Sequence, residues 1–354
     1  MSGEPLLLSR RKSILANIVL VAAGFALPVA GAEIVLRMFD PPPDTPGLWV
    51  EADNAAIGAL GKPGASGVYG GVEVRFNAQG LRERELVVDK VPGVRRIIAL
   101  GDSITFGHGV RADDAYPRVV ETRLNEALSQ QTVEVLNFGI PGYNTLNALA
   151  QFQEFGLALQ PDVVVLGFLY NDVLMPSRSG DAASSQAPGG AMRMLNDTLG
   201  GIKRNSRLAQ RLSPFIADTI RRAGGQTVGQ VGSFKYRYVD GDPDWLAVQA
   251  ALREFRALGE QHGFEFVIMI IPAMANMADG AYPLTEYHQA VAAFAASEGI
   301  AHLDLLPAFW GLDAREFWIT PTDGHPNAEG QSIIADALAG YLQRSGAFGT
   351  DVVH

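Results

Sequence analysis

Four short stretches of the chain carry the residue types that acyl transfer requires. Gly101-Asp102-Ser103-Ile104-Thr105-Phe106-Gly107 offers a serine hydroxyl, and Asn137-Phe138-Gly139-Ile140-Pro141-Gly142-Tyr143-Asn144 offers a glycine-rich turn. Tyr170-Asn171-Asp172 offers a side-chain amide, and Asp323-Gly324-His325-Pro326-Asn327 sets a carboxylate two residues ahead of an imidazole. A serine hydroxyl is a poor nucleophile at its own pKa and needs a base to take its proton as it attacks a carbonyl. His325 suits that task, because an unperturbed imidazole pKa of about 6.5 lets it cycle near neutrality. Asp323 is placed to orient the ring and to stabilise the imidazolium. The backbone N–H groups of Ser103 and Gly142 and the amide of Asn171 supply three donors for the oxyanion that develops on the attacked carbonyl. Asp102 reads as structural, bonding to nearby backbone.

Chemistry of this kind needs the four stretches on one rigid edge, and the hydrophobic pattern predicts such an edge. Residues 95–100, 133–138, 162–167, 264–271 and 301–306 are short apolar runs of strand character. Val163-Val164-Val165-Leu166 is typical of a strand buried on both faces. Residues 116–128, 145–159, 244–262, 284–298 and 327–342 have helical spacing. Strands alternating with helices imply α/β architecture with a parallel sheet and right-handed crossovers. Open sheets of that type bind ligands beyond the carboxyl ends of their strands, which is where the four stretches fall. Of the other histidines, His262, His288, His302 and His354 read as surface or packing residues. His108 reads the same way, although it is close enough to Ser103 in sequence to line the site.

Several other chemistries are excluded. The G-x-S-x-G elbow is missing, since Ile104-Thr105 follow the serine, and H-E-x-x-H is missing too. Gly101…Gly107 does not provide the G-x-G-x-x-G that a dinucleotide-binding turn needs. With no cysteine among 354 residues, no disulfide framework, thiolate zinc site or cysteine nucleophile exists. Thirty-eight acidic against 28 basic residues give a net charge of −10, which argues against nucleic acid as a partner. Apolar residues at 47% and charged residues at 19% suffice for a sizeable core.

Outside the alternating region the chain divides as follows. Arg10, Arg11 and Lys12 precede 20 uncharged positions, residues 13–32. Twenty helical residues span roughly 30 Å, the thickness of a bilayer core. Residues 1–40 therefore read as a cytoplasmic flank and transmembrane anchor, with everything beyond on the periplasmic side. Ala30-Gly31-Ala32 also fits a signal-peptide cleavage site, which would make the protein secreted. Residues 41–93 are a Pro- and Gly-rich linker and extension, with a strand pair expected around residues 72–76. The hydrolytic residues fall in 94–345, interrupted by an insertion at 174–243, and 346–354 is a tail. Within the insertion, residues 199–225 hold six basic residues and one acidic, with an apolar helical stripe. That pattern suits a lid or a cap facing anionic lipid or an acidic glycan.

Gly101-Asp102-Ser103, the block Asn137…Gly142, Asn171-Asp172 and Asp323…His325 together resemble the four signature blocks of the SGNH (GDSL-type) hydrolases. The resemblance covers about residues 95–173 and 264–342. It implies a flavodoxin-like three-layer α/β/α sandwich on a five-stranded parallel sheet, and serine ester hydrolysis of acetylated sugars, lipids or thioesters. It puts Ser103 in the nucleophile's position, Gly142 and Asn171 in the oxyanion positions and His325 in the base's, with no cofactor or metal. The usual last block has Asp three residues before His, whereas here Thr322 stands at that place and Asp323 is only two before. Asn77-Ala78-Gln79-Gly80-Leu81-Arg82 resembles a segment found in membrane-anchored members, which carry this shorter spacing. Expected partners are an acylated glycan, lipid or small ester and, through the N-terminal helix, the membrane. An O-acyltransferase using the same acyl-enzyme and an inactive binding module are the alternatives.

Overall fold

A computed structural model of the chain describes residues 26–38, 44–128, 131–174, 236–275, 282–320 and 323–345, with single residues 17, 20, 21, 24, 206, 208, 234 and 277. The chain forms two compact units, residues 1–42 with 180–227, and residues 43–179 with 228–354. In the first unit residues 26–38 are helical, and the Glu33 carboxylate accepts from Ser206 Oγ at 2.9 Å and Leu208 N at 3.0 Å. Among the described residues no helix is long and apolar enough to cross a membrane. Part of the uncharged stretch 13–32 lies outside the described residues, as does all of 199–225 except Ser206 and Leu208. The expected lid therefore falls outside them.

The second unit is built on strands β5 (Val94–Gly101), β6 (Thr132–Asn137), β7 (Val163–Phe168), β8 (Glu265–Ile270) and β9 (Ala301–Asp304). They form one five-stranded, wholly parallel sheet in the order β6-β5-β7-β8-β9. That is the flavodoxin-like order, and its switch point lies at the carboxyl ends of β5 and β7. Every position of β7 is buried. Removing each large apolar side chain there from water contributes about 1.5–3 kcal/mol.

Helices α1 (Ser103–Phe106), α2 (Tyr116–Ala127), α3 (Thr145–Gln151), α4 (Pro243–His262), α5 (Thr285–Ser297), α6 (Leu306–Phe309) and α7 (Ala328–Arg344) complete this framework. Their boundaries follow local chemistry. Asp242 caps α4 through the N–H groups of Asp244 and Trp245, Pro243 occupies its first turn, and Gly263 at φ +79° ends it. The helix expected over 145–159 keeps α geometry only to Gln151, then widens into a π turn over Phe152–Gly156. The widened turn seats the fully buried Phe152 ring, whose centroid lies 5.7 Å from that of Phe255 and 5.3 Å from that of Phe264.

Three small antiparallel pairs stand apart from the main sheet. In the N-terminal extension β1 (Trp49–Glu51) pairs with β2 (Ala59–Gly61). The strand pair expected near 72–76 is a hairpin of β3 (Ser66–Tyr69) and β4 (Val72–Arg75), turning at Gly70-Gly71 with φ +61° and +81°. Two successive positive φ values are those of a tight hairpin turn that glycine adopts without steric cost. The third pair is β10 (Trp318–Thr320) with β11 (Asp323–Pro326), directly ahead of α7.

Candidate active site

Ser103 opens α1, one turn long, immediately after the carboxyl end of β5. Asp102 caps this turn by accepting the Ile104 N–H at 2.9 Å, and Gly107 ends it at φ +78°. Burial pushes the Asp102 carboxyl up to about 6, against the pull of the Ile104 N–H and the charge of His325. Asn137, at the end of β6, donates from Nδ2 to the Thr105 carbonyl at 2.8 Å and accepts the Gly139 N–H at 2.9 Å. A methyl group on Gly139 would lie 2.2 Å from Phe106 N, so glycine there lets the second loop press against the serine's turn.

Two further supports act through partners that no local spacing points to. The buried Arg82 guanidinium donates to the carbonyls of Gly107 and Val110, both at 2.7 Å, clamping the chain that leaves α1. Gln331 of α7 accepts the Tyr116 N–H at 2.9 Å and donates to the Ile104 carbonyl at 3.1 Å. Arg82 closes the Asn77…Arg82 segment, but the partners of both residues lie far away in the sequence, so neither role is written in local spacing.

The structure brings Ser103, His325 and Asp323 together. Ser103 Oγ is 2.8 Å from His325 Nε2, and His325 Nδ1 is 2.6 Å from Asp323 Oδ1. A carboxylate only accepts, so His325 carries its proton on Nδ1 and presents the Nε2 lone pair to the serine hydroxyl. Burial acts to lower the His325 pKa, but the hydrogen bond and charge of Asp323, with Asp102 behind them, outweigh it and the net shift is upward. Burial likewise works against the Asp323 carboxylate, yet hydrogen bonds from His108 and His325 hold its pKa well below the usual carboxylate range.

Gly142 and Asn171 lie at the ends of the neighbouring strands. Gly142 has φ +83° and nothing within 4 Å of where a Cβ would stand, so its glycine answers to backbone conformation and leaves open space beside it. Neither the Gly142 N–H nor the Ser103 N–H has an acceptor among the described residues. The Asn171 side chain makes no hydrogen bond among them either, and its Oδ1 is buried. Such donors are available to a developing oxyanion. Both loops are fixed from behind. Asn144 caps α3 in a reciprocal box with Asn147, and buried Asp172 accepts the Leu169 N–H at 2.6 Å and the Thr145 hydroxyl at 2.9 Å.

His108 corrects the surface-or-packing reading. Its Nε2 is 3.4 Å from Asp323 Oδ2, and its ring centroid is 4.4 Å from that of His325. The sequence signal was its position five residues after Ser103, in the loop leaving α1. The ligand atoms of His108, Asp323 and His325 lie within 4.8 Å of one another, close enough to share a metal ion. Both ring nitrogens of His325 are already engaged, by Ser103 and by Asp323, which fits a proton relay better than a ligand set. His288 is a buried packing residue, held by Asp304 at 2.7 Å and Tyr282 at 3.0 Å.

A family model described as the GDSL-like lipase/acylhydrolase family matches residues 99–333. Solved structures are similar to part of the chain. One is a member of the lipolytic protein G-D-S-L family from Veillonella parvula DSM 2008, 14% identical, covering 71% of this chain and 99% of its own, with a TM-score of 0.40. An acetyl xylan esterase, AlAXEase, is 17% identical, covering 70% of this chain and 99% of its own, with a TM-score of 0.41. A variant of Axe2, an acetyl-xylooligosaccharide esterase from Geobacillus Stearmophilus, is 18% identical, covering 73% and 97%, also at 0.41. No curated protein sequence matches the chain.

Proposed function

From the premise that this chain belongs to the GDSL-like lipase/acylhydrolase family of carboxylic ester hydrolases, we propose that it cleaves its ester through an acyl-enzyme on Ser103. The observation that carries this reading is the continuous chain of contacts from Ser103 Oγ through both nitrogens of His325 to Asp323 Oδ1, at 2.8 Å and 2.6 Å. Ser103 Oγ bonds to the carbonyl carbon as its proton passes to His325 Nε2. The carbonyl π electrons move onto oxygen, where the N–H groups of Ser103 and Gly142 and the Asn171 amide stabilise the charge. Collapse breaks the bond to the alcohol, which leaves with the proton from His325. Water then repeats the sequence on the acyl-serine, giving the free acid and restoring Ser103.

The substrate class we assign is an O-acyl or O-acetyl ester on an envelope glycan or lipid. We further propose that the N-terminal segment tethers the protein to the cytoplasmic membrane, with the hydrolase outside the cytoplasm. The uncharged run 13–32 behind Arg10, Arg11 and Lys12 supports this. Alkaline phosphatase fused after residue 40 is then active, and a new N-terminus at Glu33 would instead establish cleavage.

A fluorophosphonate probe tests the chemistry. It labels the wild-type protein and fails to label Ser103→Ala or His325→Ala. Labelling that persists in Ser103→Ala overturns the assignment. Release of the acyl group to an added glycan rather than to water would make the protein an acyltransferase.

A further inference from the structure

The Asp323 carboxylate has one oxygen on His325 and the other facing a second imidazole. Oδ1 receives both the side-chain Nδ1–H and the backbone N–H of His325, while Oδ2 lies 3.4 Å from His108 Nε2. Because a carboxylate only accepts, the His108 nitrogen that faces it carries a proton. The other nitrogen, Nδ1, is buried and has no hydrogen-bond partner among the described residues.

The residues that hold His108 come from the N-terminal extension. The Tyr69 ring meets it edge to face at 5.3 Å. Next to Tyr69, the Gly70-Gly71 turn of the β3–β4 hairpin closes over the imidazole, where a methyl group on Gly70 would stand 2.8 Å from His108 Cε1. Asp44 accepts the Gly70 N–H at 2.8 Å and fixes the turn. A carboxylate bonded at one oxygen alone can rotate about its Cβ–Cγ bond and leave the line of the His325 N–H. Contact at both oxygens removes that freedom.

We infer that His108 is a positioning residue for ester hydrolysis: it steers Asp323 from the second carboxylate oxygen, and the N-terminal hairpin steers His108. The extension ahead of the sheet is on this view part of the active-site framework and more than a spacer. The inference rests on the reading of His325 as the base.

The test measures kcat and KM for p-nitrophenyl acetate with the full-length protein. His108→Phe keeps a ring against Tyr69 and loses the donor, while His108→Gln keeps an amide N–H of similar reach. His108→Phe lowers kcat roughly 10–100-fold with KM unchanged, as expected for a misaligned relay. His108→Gln recovers most of the loss, which a purely packing role would not allow. In an Asp323→Ala background, His108→Phe has no further effect, because the group it steers is gone. Gly70→Ala, which displaces the imidazole, lowers kcat in the same way. A His108→Phe enzyme with wild-type kcat beside an impaired Asp323→Ala overturns this inference alone, as does a His108→Phe loss that recurs in full without Asp323. A fully active Asp323→Ala overturns the relay reading and this inference together.

Discussion

Asp323 and His325 stand two residues apart on strand β11, and Asp323 Oδ1 receives both the imidazole Nδ1–H at 2.6 Å and the backbone N–H of His325 at 3.1 Å. Along a strand, residues i and i+2 project from the same face. A two-residue spacing therefore brings carboxylate and imidazole together only if the segment is extended. The β10–β11 hairpin supplies that extension, which accounts for a pair one residue closer than the usual block.

Asp323→Asn keeps the acceptor for the backbone N–H but can turn an amide N–H toward His325 Nδ1, favouring the wrong tautomer. The expected loss in kcat for p-nitrophenyl acetate is about 10²–10⁴-fold, with fluorophosphonate labelling slowed but present. Full activity in this variant would reduce the relay to a Ser–His dyad.

The same pair sets the pH dependence. With His325 as the proposed base, hydrolysis needs its neutral form, and its pKa is raised above the ordinary 6.5 because Asp323 and Asp102 favour the charged ring more than burial disfavours it. The acid limb of the kcat/KM profile should accordingly have its midpoint above 6.5. Removing the carboxylate charge in Asp323→Asn leaves burial with less opposition, so the midpoint moves toward acid. A shift toward alkali would contradict the assignment of His325 as the base.

Asn171 offers a separation of catalysis from folding. Its side chain makes no hydrogen bond among the described residues, so truncation has little to cost in stability. Asn171→Ala is expected to lower kcat on the order of 10²–10³-fold, as for other single oxyanion donors, with KM and the urea midpoint close to wild type. An equal drop in stability would make Asn171 a loop-forming residue only.

Two glycines of one loop should lose stability to the same methyl group for different reasons, Gly139 the more. At Gly139 it would lie 2.2 Å from Phe106 N and 2.6 Å from Thr105 C, backbone atoms that cannot step aside. Gly139→Ala should cost about 1–3 kcal/mol or more and lower activity by moving the serine's turn. At Gly142 there is nothing to strike, and the cost is that of a left-handed conformation, about 1–2 kcal/mol. Urea unfolding checks both, and a Gly142→Ala enzyme less stable than Gly139→Ala would contradict the argument.

The sequence by itself determined the alternation of strands and helices and the places where chemistry could sit. Those signals are local. Val163-Val164-Val165-Leu166 can only be comfortable in a buried strand, and glycine, proline and asparagine mark where strands give way to turns. Ser103, Gly142, Asn171 and His325 each follow such a mark, so their types and positions were legible without coordinates. The hairpin under Asp323 was not, because its strands are three and four residues long and gain their conformation from pairing with each other. Nor were the partners of His108, Arg82 and Gln331, although His108 was marked by its nearness to Ser103 and Arg82 by the segment that it closes. Arg82 meets carbonyls at positions 107 and 110, Gln331 meets backbone at 104 and 116, and His108 meets a carboxylate at 323. Contacts at such separations leave no periodicity in the chain, since they exist only when the sheet, the extension and the last helix close on the same edge.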